Sequence, residues 1–324
     1  GYTVSPGTDE LRQTIATHYG TRYGVAVGAD EVIITTGSSG GFVLLLLAAF
    51  DVGAAVAMTR PGYPAYRNGL LSLGCRVIDL DVGPETRFQP TVAMLEALPE
   101  VPAGLVLASP SNPTSTIIEP AELAAIAAWC EANDCLLISD EIYHGVTYGH
   151  HAACAWESSR SGVVVGSLSK YYSMTGWRVG WAVLPDALVR PVELLLGNLN
   201  ICAPALAQVA AVEAFGASAR AELDGHVERY AVNRDLVLAR LPELGVSTWA
   251  PADGAFYAYA DISHLTSDSQ RWCLDALDAT GVAVTPGVDF APHRPGVQSP
   301  LDGSGWFRLS FAGATADVDD AMTR

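Results

Sequence analysis

The 324-residue chain predicts an α/β fold: a large three-layer αβα domain built on a mostly parallel sheet, followed by a smaller α+β domain. Three observations lead there. Short apolar runs alternate with helical patterns up to about Ser218. Those runs are continuously apolar, as strands covered by helices on both faces are. Beyond Ser218 the alternation stops and a long helical stretch takes over, which sets the expected domains at 1–218 and 219–324.

In chain order, strands are expected at Val32–Thr36, Ala54–Met58, Arg76–Leu80, Gly104–Ala108, Cys135–Asp140, Gly162–Gly166 and Val179–Leu184. Each is a short run rich in Val, Ile, Leu or Ala, bounded by polar or turn-forming residues. Helices are expected between them at Gly40–Phe50, Pro64–Leu73, Pro120–Asn133 and Asp186–Leu199, longer segments than any of the strands. In the second part a helix is expected at roughly Ala219–Arg240, then strands at Val246–Trp249 and Ala255–Ala260. A helix near Ser269–Thr280 and strands at Val282–Val284 and Trp306–Phe311 follow. Ala291–Gly305, with its glycines and prolines, reads as a loop.

Composition removes several classes of function. A net charge of -17 opposes binding to nucleic acid, which needs clustered Lys and Arg, and to anionic membrane surfaces. The longest apolar run, Gly41–Phe50, is far too short to span a bilayer. The cysteines (Cys75, Cys130, Cys135, Cys154, Cys202 and Cys273) include no CxxC pair and lie mostly in apolar stretches. They read as reduced, largely buried thiols of a cytoplasmic protein, with no metal site expected.

Lys170 is the only lysine in the chain. Every other fixed positive side chain is arginine, whose guanidinium stays protonated and forms no imine. A retained primary amine suits Schiff-base chemistry with a carbonyl; a genome that exchanges Lys for Arg explains the scarcity but not the surroundings of Lys170. In open α/β sheets ligands bind beyond the carboxyl ends of the strands, so the residues following each strand matter most. The first expected strand leads into Gly37-Ser38-Ser39-Gly40-Gly41 at a helix start, a cradle for an anion such as phosphate or an ordinary serine cap. The second leads into Arg60-Pro61-Gly62-Tyr63-Pro64, where Tyr63 either stacks on a flat ring or packs. Asn112 follows the fourth between two prolines, as a ligand donor or a turn residue. Asp140 ends the fifth and needs a partner there, a protonated ring nitrogen or, more plainly, a helix start that it caps or an internal salt bridge. Lys170 follows the sixth, and Arg178 stands eight residues on, free to pair with a phosphate. Jointly these residues describe a site for pyridoxal 5'-phosphate, which needs a lysine and an acid against its pyridine nitrogen.

The run Ser167-Leu168-Ser169-Lys170 through Met174-Thr175-Gly176-Trp177-Arg178-Val179-Gly180 resembles the cofactor-lysine signature of class I/II aminotransferases. These form the aspartate aminotransferase family of fold type I pyridoxal-phosphate enzymes. Ser111-Asn112-Pro113-Thr114, Ser139-Asp140-Glu141-Ile142-Tyr143, Arg60-Pro61-Gly62-Tyr63-Pro64 and Arg308-Leu309-Ser310-Phe311 extend the resemblance over essentially the whole chain. It implies that Lys170 holds the cofactor and shuttles the substrate proton, and that Asp140 keeps the pyridine nitrogen protonated. Asn112 and Tyr143 would donate to the phenolic oxygen and Tyr63 would stack on the ring. Ser38, Ser39, Ser167 or Ser169, and Arg178 would hold the phosphate, and Arg308 the substrate carboxylate. Tyr2 matches a tyrosine that reaches the phosphate of a neighbouring subunit, implying a homodimer with shared sites.

There are departures from the family pattern. The N-terminal arm that usually precedes the tyrosine is not among these residues, and a final helix is expected where the chain stops soon after Ala321-Met322. Ser115 stands where the family has glycine, at a turn that a side chain strains.

The function expected is a ping-pong aminotransferase acting on an amino acid and a 2-oxo acid. A lyase or synthase on the same scaffold is the alternative, and a ligand-sensing regulator domain a third. For a substrate side-chain carboxylate only Arg22, Arg60, Arg67 and Arg294 stand near expected loops.

Overall fold

The computed structural model describes residues 1–294, 299 and 301–324; part of the expected Ala291–Gly305 loop (295–298 and 300) lies outside the described residues. Strands β1 (Val32–Thr36), β2 (Ala55–Arg60), β3 (Arg76–Asp81), β4 (Gly104–Ala108), β5 (Leu136–Asp140), β6 (Val163–Ser167) and β7 (Val179–Val183) form one sheet in the order β1-β7-β6-β5-β4-β2-β3. The β3-β2-β4-β5-β6 pairings are parallel, whereas β7 runs antiparallel to both β6 and β1. The reason lies in the connection. A parallel crossover takes a dozen or more residues, usually a helix, but β6 and β7 are joined by 168–178, which contains no α-helix. The chain turns straight back, and that turn carries Lys170 and Arg178.

The helices are α1 (Asp9–Tyr23), α2 (Gly37–Ala49), α3 (Pro64–Ser72), α4 (Val92–Glu96), α5 (Pro120–Ala132), α6 (Asp186–Leu199), α7 (Ala205–Ala214), α8 (Ala217–Arg240), α9 (Ser269–Thr280) and α10 (Thr315–Thr323). Helices α1 to α7 pack around this sheet, on both of its faces. Successive strand residues point to opposite sides: Ile33, Val106 and Ile138 pack with Leu45 of α2, Leu70 of α3 and Leu196 of α6. Their neighbours Ile34, Leu105 and Leu137 pack with Ile15 of α1, Ile126 of α5 and Ala211 of α7. Each fully buried aliphatic side chain contributes about 1.5–3 kcal/mol, and the two-sided burial is why these strands read as unbroken apolar runs.

Helices α1, α4 and α7 were not expected. In α1 the signal is sparse: Leu11, Ile15 and Tyr19 are buried at a spacing of four, Thr8 accepts from the Leu11 amide, and Gly24 closes the helix in the left-handed region. The second sheet holds β8 (Tyr257–Asp261), β9 (Thr285–Pro286) and β10 (Trp306–Ser310) in the antiparallel order β8-β10-β9. Three expectations there are corrected. Val246–Trp249 forms no strand, only an isolated bridge from Trp249 to Ala260, because Pro251 follows with no amide to continue a ladder. The strand expected from Ala255 starts at Tyr257, since Ala255 has a φ of 50°. The strand expected at Val282–Val284 lies at Thr285–Pro286, after Gly281 ends α9 and Thr280 takes the Val282 amide. A helix, α10, does form around Ala321-Met322.

All six cysteines are free, with only Cys202 less than fully buried. Among the described residues no group of His, Cys, Asp and Glu is arranged to hold a metal ion, and no helix is long and apolar enough to cross a membrane.

Candidate active site

A cavity of about 450 Å³ opens beyond the carboxyl ends of the central strands, within the size range of small-molecule sites. Ser38, Ser39, Tyr63, Asn112, Asp140, Tyr143, Ser169, Lys170, Arg178 and Arg308 all line it. Ser167 does not. It is buried at the end of β6, where its Oγ accepts from the Ser169 amide at 3.1 Å and shapes the turn that presents Ser169 and Lys170. Tyr2 does not line it either; it is 82% exposed at the N-terminus.

Asp140 sits at the last position of β5 and is buried. Its Oδ2 accepts from the Tyr66 hydroxyl, its Oδ1 from the Ile142 amide at 3.2 Å. Burial pushes its carboxyl up to about 6, against the Tyr66 hydroxyl, the Ile142 amide and the charge on Lys170, which hold it down. It is therefore mostly ionised at neutral pH. Burial also pulls the Lys170 ammonium below its ordinary value; Asp140 opposes this, while Arg308 and Arg178 add to it. A half-buried amine that sheds its proton more readily than a surface lysine is a better nucleophile and a better base. The Lys170 Nζ lies 5.5 Å from the Tyr143 ring centre and 5.9 Å from that of Phe256.

One corner of the cavity gathers hydrogen-bond donors. Helix α2 begins at Gly37, three residues ahead of expectation, so Ser38 and Ser39 lie in its first turn, and no side chain caps it. Its first amides are thus orphans aimed at the end of the sheet. Gly37 has a φ of +66°, and a Cβ there would meet Arg178 Nη2 at 2.3 Å. At Gly180 a Cβ would meet the Ser38 amide nitrogen at 2.6 Å. Glycine at both positions lets the arginine and the helix start converge. Arg178 Nη1 donates to the Thr175 carbonyl at 2.9 Å and to Ser169 Oγ at 3.4 Å, leaving further N–H groups free for a ligand.

The opposite wall carries Arg308, on β10. Its Nη1 donates to Asn112 Oδ1 at 2.8 Å and its Nη2 to Thr285 Oγ1 at 3.1 Å. Its guanidinium lies 4.3 Å from the Tyr257 ring centre and 4.8 Å from that of Phe290. Its buried Nε has no partner. Because Asn112 accepts through Oδ1, its amide NH2 stays available to donate. The Tyr143 and Tyr257 hydroxyls are 2.9 Å apart.

Tyr66, Tyr257, Thr285 and Phe290 escaped the sequence reading. Tyr66 had a signal: it lies one helical turn after Tyr63, so both face the same way, and the two rings meet edge to face at 5.4 Å. Thr285 pairs directly with Arg308 across β9 and β10, and Tyr257 is its diagonal neighbour on β8. That register was not visible in the sequence. The side-chain arginine candidates all lie off the cavity wall. Arg60 is buried and donates to Asp81 and to the Pro292 carbonyl, Arg67 pairs with Asp79, and Arg294 pairs with Asp81. Arg22 borders a separate depression with Thr147 and His150.

A half-buried amine, a buried acid, the uncapped start of a helix with an arginine beside it, and a second arginine on β10 thus line one cavity. The chain belongs to the aminotransferases of class I and II, whose family model matches residues 1–324. It is 52% identical over its full length to valine–pyruvate aminotransferase of Mycobacterium tuberculosis, covering 82% of that protein. A crystal structure of an aminotransferase from Mycobacterium tuberculosis superposes with a TM-score of 0.95 at 52% identity, over all of this chain and 82% of that one. Aspartate aminotransferase from Thermus thermophilus with maleate, 28% identical, superposes at 0.91, again over all of this chain and 82% of that one. The protein is an aminotransferase, and these matches favour that activity over a lyase or synthase on the same scaffold.

Proposed function

We propose that the cavity holds pyridoxal 5'-phosphate and transfers the amino group of a neutral aliphatic amino acid, valine first among them, to a 2-oxo acid such as pyruvate. The observation that carries the cofactor reading is the fit of the donor set. The chain's only lysine opposes a buried acid, and the uncapped start of α2 meets Arg178 at a glycine with no room for a Cβ. When bound, the cofactor supplies an electron sink for the charge that develops at the substrate Cα.

The chain's residues do the rest. Lys170 anchors the cofactor and then carries the proton to and from the substrate Cα. Asp140, ionised at neutral pH, keeps a proton on the ring nitrogen. Tyr143 and the Asn112 amide donate to the phenolic oxygen, and Tyr63 stacks on the ring. Ser38, Ser39, Ser169 and Arg178 hold the phosphate, with Ser167 bracing that turn. Arg308 pairs with the substrate carboxylate, using N–H groups that Asn112 and Thr285 leave free.

The substrate class has two supports. The relative that is 52% identical is named for valine and pyruvate. The cations on the cavity wall, Lys170, Arg178 and Arg308, all have roles already, and the remaining wall includes Phe42, Val43, Leu46 and Ala65. A substrate side-chain carboxylate would find no fixed positive charge there.

The proposed working unit is a homodimer of cytoplasmic location, in keeping with its free thiols. Tyr2, Val4, Val43, Leu47, Ile201 and Leu206 are all exposed. The N-terminal segment, Ile201 and α7 adjoin: Ser5 Oγ donates to the Ile201 carbonyl at 3.0 Å, and Gln208 of α7 donates to Thr3 Oγ1. Such a face calls for a partner, and Tyr2 on it would reach the partner's phosphate. With domains at 1–218 and 219–324, Tyr257 and Arg308 come from the smaller one and the rest of the wall from the larger.

The test is the visible spectrum of the cofactor-loaded protein. Adding valine should bleach the cofactor band and adding pyruvate should restore it, and Lys170→Ala should abolish both. A band that ignores valine but responds to aspartate would overturn the substrate class, and a fully active Lys170→Ala the whole reading.

A further inference from the structure

We infer that Ser115 is a positioning residue for substrate-carboxylate binding, because its hydroxyl pins the strand that carries Tyr257 beside Arg308. This rests on the assignment of Arg308 to the carboxylate.

Ser115 is fully buried and has a φ of 58°, in the left-handed region where glycine is at ease and other residues are strained. Its amide closes a turn on the Ser111 carbonyl at 2.8 Å, and its own carbonyl accepts from Gly254 at 2.9 Å. Glycine would make both of those backbone bonds. It would not make the third. Ser115 Oγ accepts from the backbone amide of Tyr257 at 3.0 Å, joining residues 142 positions apart.

That amide needs the hydroxyl. Strand β8 is at the edge of its sheet, and the Phe311 amide bonds to the Phe256 carbonyl. The next residue along, Tyr257, therefore turns its amide away from β10. Tyr257 is buried, so an amide without an acceptor there would carry a desolvation penalty. The Tyr257 ring supports the Arg308 guanidinium at 4.3 Å, and its hydroxyl meets Tyr143 at 2.9 Å. Asn112, in the same turn as Ser115, accepts from Arg308 Nη1. The hydroxyl thus ties the turn that holds Asn112 to the strand that holds Tyr257, the two groups that contact the Arg308 guanidinium.

The experiment compares the cofactor-loaded wild type with Ser115→Gly and Ser115→Ala in single-turnover reactions. The probes are valine and isobutylamine, which is valine without its carboxylate. Glycine satisfies the φ, so Ser115→Gly folds; Ser115→Ala keeps the strain and loses only the hydroxyl. In both variants half-saturation by valine should rise about tenfold, while the limiting rate, the resting spectrum and the response to isobutylamine stay as in the wild type. Unchanged valine half-saturation in Ser115→Gly would overturn the proposal and leave the aminotransferase reading intact. An equal loss towards both probes would also overturn it, since that marks general damage to the site. A wild type that half-saturates alike with valine and isobutylamine would refute the Arg308 assignment itself, and the proposal with it.

Discussion

Replacing Arg308 by lysine keeps the charge and removes the fork. Of the five N–H donors of the arginine, one is spent on Asn112 and one on Thr285. One N–H on each of Nη1 and Nη2 remains for a carboxylate, and the two can be used in parallel. A lysine ammonium in the same space meets the carboxylate as a single point charge. It forfeits one charge-assisted hydrogen bond, about 1.5–3 kcal/mol. It also forfeits part of the contact with the rings of Tyr257 and Phe290, about 0.5–1 kcal/mol. The sum, about 2–4 kcal/mol, corresponds to a roughly 30- to 700-fold loss in kcat/KM. The assay is steady-state transamination between valine and pyruvate, with the KM of each substrate measured separately. Both should rise, because both present the same carboxylate to the same arginine. A variant with wild-type KM for valine and for pyruvate would refute the role, whatever happened to kcat.

Gly37→Ala forces a left-handed alanine, costing about 1–2 kcal/mol, and drives a methyl group into Arg178 Nη2; cofactor titration should show at least a tenfold weaker affinity, and unchanged affinity would remove the anion cradle from that corner. Tyr66→Phe takes away the hydroxyl that helps hold the Asp140 carboxyl down to about 6, so the acid limb of the kcat profile should move to higher pH; a shift to lower pH would contradict the assignment. Glu141, next to Asp140, is held up to about 8, chiefly by burial, against the Ala155 amide and the Ser139 hydroxyl. The folded protein therefore keeps a proton that the unfolded chain releases near 4.5, and stability falls as pH rises from about 4.5 to about 8. Glu141→Gln should flatten that slope and raise Tm at pH 8 by on the order of a few degrees; a slope of Tm against pH identical to wild type would refute it.

Much of the site was legible because chemistry and topology coincide along the chain. A strand buried on both faces must be an unbroken apolar run, so Gly104–Ala108 and Cys135–Asp140 could be read directly, the second one residue longer than β5 at its start, and a polar residue at or just after their carboxyl ends stands out. Asp140, Lys170 and Arg178 were found that way. Tyr66 was missed although a helical turn from Tyr63 pointed to it. Tyr257 and Thr285 lay beyond any local pattern, because they reach Arg308 only through the pairing of β8, β10 and β9. Helix α1 was missed because its buried stripe is thin and the rest of its surface polar.

The sequence by itself determined the layered α/β architecture, the single amine, the acid at the end of β5 and the two arginines that line the cavity, since each follows from residue type and position next to a strand. Tertiary structure alone decided that β7 turns back against β6, that Ser167 braces the turn while Ser169 faces the cavity, and that Arg60, Arg67 and Arg294 are engaged elsewhere. It also decided that Ser115 accepts a hydrogen bond from Tyr257. The partners of Arg60, Arg294 and Ser115 are far apart in the chain, and local periodicity holds no record of which distant donor a given acceptor will meet once the elements pack.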